Sequence, residues 1–148
     1  MHKESIELFK LRDREFKVIN GYIKGAFKNN KLECFIEVDM EEKEFDDACW
    51  EPNIRHQGLV LEVSTWESLE GYCLKWDDSN DPSYNQPEIG IIYVFGHAQT
   101  TNNKLQFGKA EDGEIKITWS GCNDLFWGGE YGENVPFTLE TKLKIENA

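Results

Sequence analysis

Few residues of this chain stand at spacings that could carry covalent or metal chemistry. The histidines are His2, His56 and His97, and none is paired at i,i+4 or has a cysteine at ligand spacing. His97 falls in the apolar run 89–98, on the face shared by Ile89, Ile91, Tyr93 and Phe95, so a hydrogen-bonded core or rim histidine is expected. A thiol–imidazole nucleophile could be assembled from His97 with Cys34 or Cys122, but no elbow motif favours it. The four cysteines, Cys34, Cys49, Cys73 and Cys122, contain no C-x-x-C pair. In a reducing compartment they are expected as free thiols, whereas an exported chain could pair them into two disulfides. Asp77-x-Ser79-x-Asp81 opens like a calcium loop and Glu88 stands at its twelfth position. Pro82, however, replaces the glycine that makes the sharp turn, and no flanking helices are evident. The glycines of 128–132 lack the lysine and the helix of a phosphate loop. No catalytic residue, metal or cofactor is therefore expected.

What the chain does concentrate is carboxylate. Of its 148 residues 28 are acidic and 16 basic, a formal net charge of −12, and residues 37–90 alone account for that sum. Residues 1–36 carry +3 and residues 91–148 carry −3. The dense stretch holds Glu37, Asp39, Glu41, Glu42, Glu44, Asp46, Asp47 and Glu51, interrupted by Lys43, and Asp77, Asp78 and Asp81 form a second group. A charge run is most simply a solvated face. Like charges packed this closely nevertheless repel, and a basic protein partner would relieve and exploit them through electrostatic steering. Phe45, Trp50, Trp76 and Tyr84 lie in or near the stretch, and aromatic anchors within a charged rim are the pattern of a protein-binding hot spot. Glu41, Glu42, Glu44, Asp46, Asp47, Trp50, Asp77 and Asp78 are the expected partner contacts. The same balance argues against nucleic acid and against anionic membrane surfaces, which need surplus Lys and Arg.

The elements that must position these groups read as strands. Leu32, Cys34, Ile36, Val38 and Met40 alternate with polar residues, as do Phe137 to Ile145 and Ile115 to Trp119. Residues 89–98 are apolar on both faces and predict one central strand, and Gly21 and Gly25 suit a bend or bulge within 17–27. Lys28 to Lys31, Thr101 to Lys104 and Glu111 to Glu114 predict tight hairpin connections. Residues 77–87 predict an irregular loop, and 46–55 and 64–71 short helical turns. With 39% hydrophobic and 13% aromatic residues the chain can fill a core. The expectation is one all-β domain over 1–148: an antiparallel β-sandwich or barrel-like jelly roll of about nine strands with one or two short helical turns. No apolar run approaches the ~18–20 residues of a membrane span, and no signal-like stretch follows Met1, so a cytoplasmic chain is expected.

The segment Trp119 to Phe137 is the most distinctive. Its pattern W-S-G-x-x-D-x-x-W-x-x-x-Y-G-x-x-V-P-F follows one strand and leads into another. A folded-back connection capped by Phe126 and Trp127 is one reading of it, and an aromatic recognition loop is the other. Over these residues the chain resembles small acidic bacterial immunity proteins of polymorphic or contact-dependent growth inhibition toxin systems. That resemblance implies a non-enzymatic inhibitor of a cognate toxin, frequently a nuclease, whose cationic surface the acidic stretch would cover. Two other readings compete. A carbohydrate-binding β-sandwich would use Trp76, Tyr84, Trp127 and Tyr131 as stacking platforms. A small barrel-like hydrolase or isomerase would need His97, Asp124 or Glu130 to converge in a deep pocket.

Overall fold

The computed structural model describes residues 7–45, 48–77, 91–93, 97–123 and 135–147. Eleven strands follow one another: β1 (Leu8–Leu11), β2 (Arg14–Lys28), β3 (Lys31–Met40), β4 (Lys43–Phe45), β5 (Ala48–Trp50), β6 (Asn53–Leu61), β7 (Cys73–Trp76), β8 (Ile91–Tyr93), β9 (His97–Glu111), β10 (Glu114–Asn123) and β11 (Val135–Asn147). Among the described residues a 3-10 turn at Glu67–Leu69 realises the helical expectation for 64–71. The expectation for 46–55 is not met: β5 and the start of β6 occupy it, because Trp50 and Ile54 are drawn into the core as strand residues.

Pairing runs β2–β3–β6–β8–β9–β10–β11 and returns to β2, so the all-β expectation is realised as a closed barrel. Each step in that circuit is antiparallel until the last. Seven alternating strands bring the first and last into the same direction, and β11 accordingly meets β2 in parallel at Lys144↔Tyr22 to Asn147↔Gly25. At the other end β1 inserts between them, antiparallel to both, and restores even parity. Glu7, just before β1, bridges the change of partner. Its Oε1 accepts the Lys142 N–H at 3.2 Å and the Thr141 hydroxyl at 3.3 Å. Closure gives each strand of the circuit a neighbour on either side, while β7, paired among the described residues with β9 alone, keeps an edge.

Alternation fills the barrel. Leu32, Cys34, Ile36, Val38 and Met40 of β3 point inward with Phe137, Leu139, Thr141 and Leu143 of β11 and Ile115, Ile117 and Trp119 of β10. A barrel of about eight strands is just wide enough for side chains to pack its interior. Two-residue hairpins close two of its corners as expected. Asn29 and Asn30 (φ 54° and 61°), and Asp112 and Gly113 (φ 55° and 77°), adopt the left-handed pairs that type I′ turns require.

Two expectations are corrected. Residues 89–98 are not one central strand: Ile92 pairs with Ala98 and Tyr93 with His97, so the run folds back as the β8–β9 hairpin. Nor is Thr101–Lys104 a turn, since β9 continues through it. Lys104 pairs with Ser120 and Thr101 with Cys122, so β9 carries one extra residue there, a β-bulge with Asn102 at φ 51°. Asparagine tolerates this left-handed backbone, so the same residue type suits a turn or a bulge. The bulge shifts the phase of β9, which lets both Thr100 and Asn103 face the interior.

Candidate functional site

The acidic face grows from the wet side of β3. With Val38 and Met40 inward, Glu37 and Asp39 must face out, and the chain then leaves the barrel as the separate two-stranded β4–β5 hairpin. Its root is held by backbone bonds: Glu41 N–H donates to the Lys17 carbonyl at 2.9 Å and Met40 N–H to that of Pro52 at 3.0 Å. The Glu41 carboxylate itself accepts the Lys17 N–H at 3.1 Å. Lys43, the cation that interrupts the stretch, donates its ammonium to the Glu15 carbonyl at 3.0 Å.

Trp50 is the buried wedge under this hairpin, not an exposed anchor. It is 0% exposed, with the Arg14 guanidinium 4.6 Å from its ring centroid. The expected Trp50 contact is therefore corrected: a ring enclosed on the core side has no face to offer a partner, and its work is to fix where the hairpin points. Cation–π contact with Arg14 adds to that fixation.

The carboxylates crowd one another in space. On the hairpin Glu44 lies opposite Cys49, and the Cys49 thiol donates to Glu42 Oε1 at 2.7 Å. That bond, followed by burial and by the charges of Glu42, Glu44 and Glu51, pushes the thiol up to about 11. On β3, Asp39 is raised above the usual carboxylate range by partial burial and then by Glu37 and Glu51, with Arg55 opposing. Glu37 accepts the Tyr22 hydroxyl at 2.5 Å and faces Arg55 at 4.0 Å. The hydrogen bond to Glu37 leads the causes that push the Tyr22 phenol up to about 12. Glu37, Asp39, Glu51 and Cys49 thus belong to the face beside Glu41, Glu42 and Glu44. Strict alternation along β3 signals the first two, whereas Glu51 and Cys49 join only through the hairpin's register.

The remaining expected contacts fall elsewhere. Asp77 directly follows β7 and binds the β9 bulge, where its Oδ1 accepts the Asn102 N–H at 3.0 Å and its carbonyl accepts from Asn103 Nδ2 at 3.3 Å. Asp46, Asp47 and Asp78 lie outside the described residues, as do the calcium-like positions 79–88, the loop of 78–87 and the segment 124–134 with Asp124, Trp127, Glu130 and Tyr131. The side chain of His97 is likewise outside them. Among the described residues no three His, Cys, Asp or Glu gather to hold a metal. All four cysteines are free thiols. Among the same residues no helix is long and apolar enough to cross a membrane.

Inside the barrel a polar set sits among aromatic rings. Trp119 Nε1 donates to Asn103 Oδ1 at 3.0 Å, and the rings of Trp76 and Trp119 lie 5.9 Å apart. Trp76, only 3% exposed, is not a sugar-stacking platform. His56 packs edge-on against Trp76 at 5.5 Å, and its Nδ1 accepts the Gly58 N–H at 3.4 Å, so the neutral ring carries its proton on Nε2. Burial pushes His56 down to about 4. These rings occupy the interior that a pocket would need at this level, and sequence periodicity did not point to His56 at all. No protein-family model, curated protein or solved structure matches the chain.

Proposed function

We propose that the chain is a non-enzymatic binding protein of the immunity type, which neutralises a cognate, basic nuclease toxin domain through its acidic β3–hairpin face. One observation carries the reading: Glu37, Asp39, Glu41, Glu42, Glu44 and Glu51 come from a single chain stretch and share one surface, with Asp39 raised partly by its neighbours' charges. Crowded carboxylates are unfavourable in the free protein, and a cationic partner surface relieves that repulsion on contact. A nuclease is cationic where it meets phosphate, so carboxylates held on a rigid hairpin can occupy the same surface. In this reading Glu41, Glu42 and Glu44 make the central contacts, Asp46 and Asp47, which follow in sequence, extend them, and Asp77 and Asp78 add a second contact. Trp50 supports them from below.

The test is binding to the basic domain encoded beside this chain, measured by calorimetry at about 0.05 M and about 0.3 M salt. Wild-type affinity should fall steeply with salt, and E41K/E42K/E44K should lose most of its affinity at the lower concentration. A neighbouring reading frame with no secreted or basic domain, or binding indifferent to the triple reversal, would refute the proposal.

A further inference from the structure

The wall formed by β7, β9, β10 and β11 carries six lysines against four glutamates, Glu111, Glu114, Glu140 and Glu146. Its inward residues, Trp76, Leu105, Phe107, Ile115, Ile117, Trp119, Leu139 and Leu143, are buried, which leaves Lys75, Lys104, Lys116 and Lys142 exposed on the outside. Register pairs these lysines with one another: Lys75 lies directly opposite Lys104, and Lys116 directly opposite Lys142. Like charges directly opposite on one sheet face disfavour the pairing. The chain has 28 acidic residues to set against 16 basic ones, yet none of these four lysines makes an ion pair among the described residues. Lys10, ion-paired with Glu15 at 3.6 Å, extends the row beyond Ser120 and Thr138, and Glu114, opposite Lys144, and Glu140 are carboxylates set among these lysines. Lys116 and Lys142 sit on strands paired along both sides, so they guard no free sheet edge.

We infer that this lysine wall is a second docking surface, and that its occupant is the acidic β3–hairpin face of another copy of the same chain. Charge complementarity argues for that occupant: the carboxylate face is built into every copy, and Lys75, Lys104, Lys116 and Lys142 are turned outward and make no ion pair among the described residues. The two faces differ, so the contact is head-to-tail, and mass should climb with concentration beyond a dimer unless a ring closes. The net charge of −12 opposes association at long range. At about 0.1 M salt the screening length is only ~10 Å, so the local match at contact can outweigh it. Such assembly would occupy the acidic face in the absence of its other partner, but the inference does not require that partner to exist.

Sedimentation of the full chain from about 10 μM to about 1 mM, at about 0.1 M and about 0.5 M salt, tests it. Wild type should associate at the lower salt, with affinity falling at least about tenfold at the higher. K75E/K104E and E42K/E44K should each be monomeric alone and should associate when mixed in equal amounts. K116E/K142E provides a second lysine-side variant with the same expected loss. Each double reversal leaves the chain negative, at −16 or −8 from −12, so net attraction cannot explain recovery on mixing. A monomeric wild type throughout the concentration range overturns the inference. So does association that survives the lysine reversals, or a mixture that fails to recover it.

Discussion

Replacing Asn103 by alanine tests whether the β9 bulge exists for its interior consequence. Asn103 is 3% exposed, and its Oδ1 accepts the Trp119 indole N–H at 3.0 Å. Removing the acceptor strands that N–H among Trp76, His56 and Phe137, whose rings lie about it. An unpaired buried donor costs about 1–3 kcal/mol, and losing the longer bond from Nδ2 to the Asp77 carbonyl adds a few tenths. N103A should therefore lose roughly 2–3 kcal/mol in urea unfolding, a large fraction of the ~5–15 kcal/mol stability of a typical domain. Circular dichroism at several urea concentrations supplies the reading, because the substitution also perturbs tryptophan fluorescence directly. In a W119F background the donor is gone, so N103A should cost less there, with a coupling of about 1 kcal/mol or more between the sites. A loss under about 0.5 kcal/mol in the native background, or no coupling, would show that the bond contributes nothing net and that this account of the bulge is wrong.

Gly25 has no room for a side chain: a Cβ there would lie 2.6 Å from the Cys34 Cβ and 2.7 Å from the Glu33 carbonyl oxygen. G25A should lose about 1–3 kcal/mol or more in thermal or urea unfolding, because the neighbouring strand backbone must move. At Gly121 a Cβ would meet the Thr101 carbonyl oxygen at 2.9 Å and the Phe137 ring at 2.8 Å, so G121A should cost a similar amount and disturb the same bulge. His56 is held neutral, with its folded value at about 4 against an ordinary 6.5. The unfolded chain therefore binds the extra proton first as pH falls, and the contribution is intact above about pH 6.5 and lost progressively toward pH 4. That loss is on the order of 3 kcal/mol. Measured as wild type minus H56Q, stability should decline through this window, and a flat difference would show that His56 titrates normally.

Strand identity was legible wherever alternation ran unbroken. Leu32 to Met40, Phe137 to Ile145 and Ile115 to Trp119 announced their buried faces because one residue in two is apolar and no bulge interrupts them. On β6 the inward set is Ile54, His56, Leu59 and Leu61, and on β9 it is Thr100, Asn103, Leu105 and Phe107. Each contains a step of three, where a bulge slips the phase, and a slip of one residue exchanges the two faces. Periodicity therefore misassigned Thr101–Lys104 and passed over His56. A propensity reading also cannot tell a fully apolar strand from a hairpin of two short ones, which is how the β8–β9 fold-back read as a single element. Trp50 failed for a different reason: its neighbours are charged, and only the closing of the β4–β5 hairpin onto Arg14 decides that its ring goes inward.

Closure also changes what the charge of the chain means. In sequence the excess of acid lies in residues 37–90, and a fold that dispersed this segment would have averaged it away. The circuit instead sets β3, its hairpin and β6 side by side, while β9, β10 and β11 follow one another as the lysine-bearing wall. An approaching charge responds to the nearest face once its distance from the far one exceeds the ~8 Å screening length of physiological salt. A molecule with a net charge of −12 can therefore present paired lysines to one partner and crowded carboxylates to another. The sum limits only weak, long-range encounters, whereas specificity is decided where the carboxylates of the hairpin or the paired lysines are within contact of a partner. This is why reversing two charges on either face should change association far more than the same change placed at Lys28 or Lys31, whose side chains stand at a hairpin turn away from both.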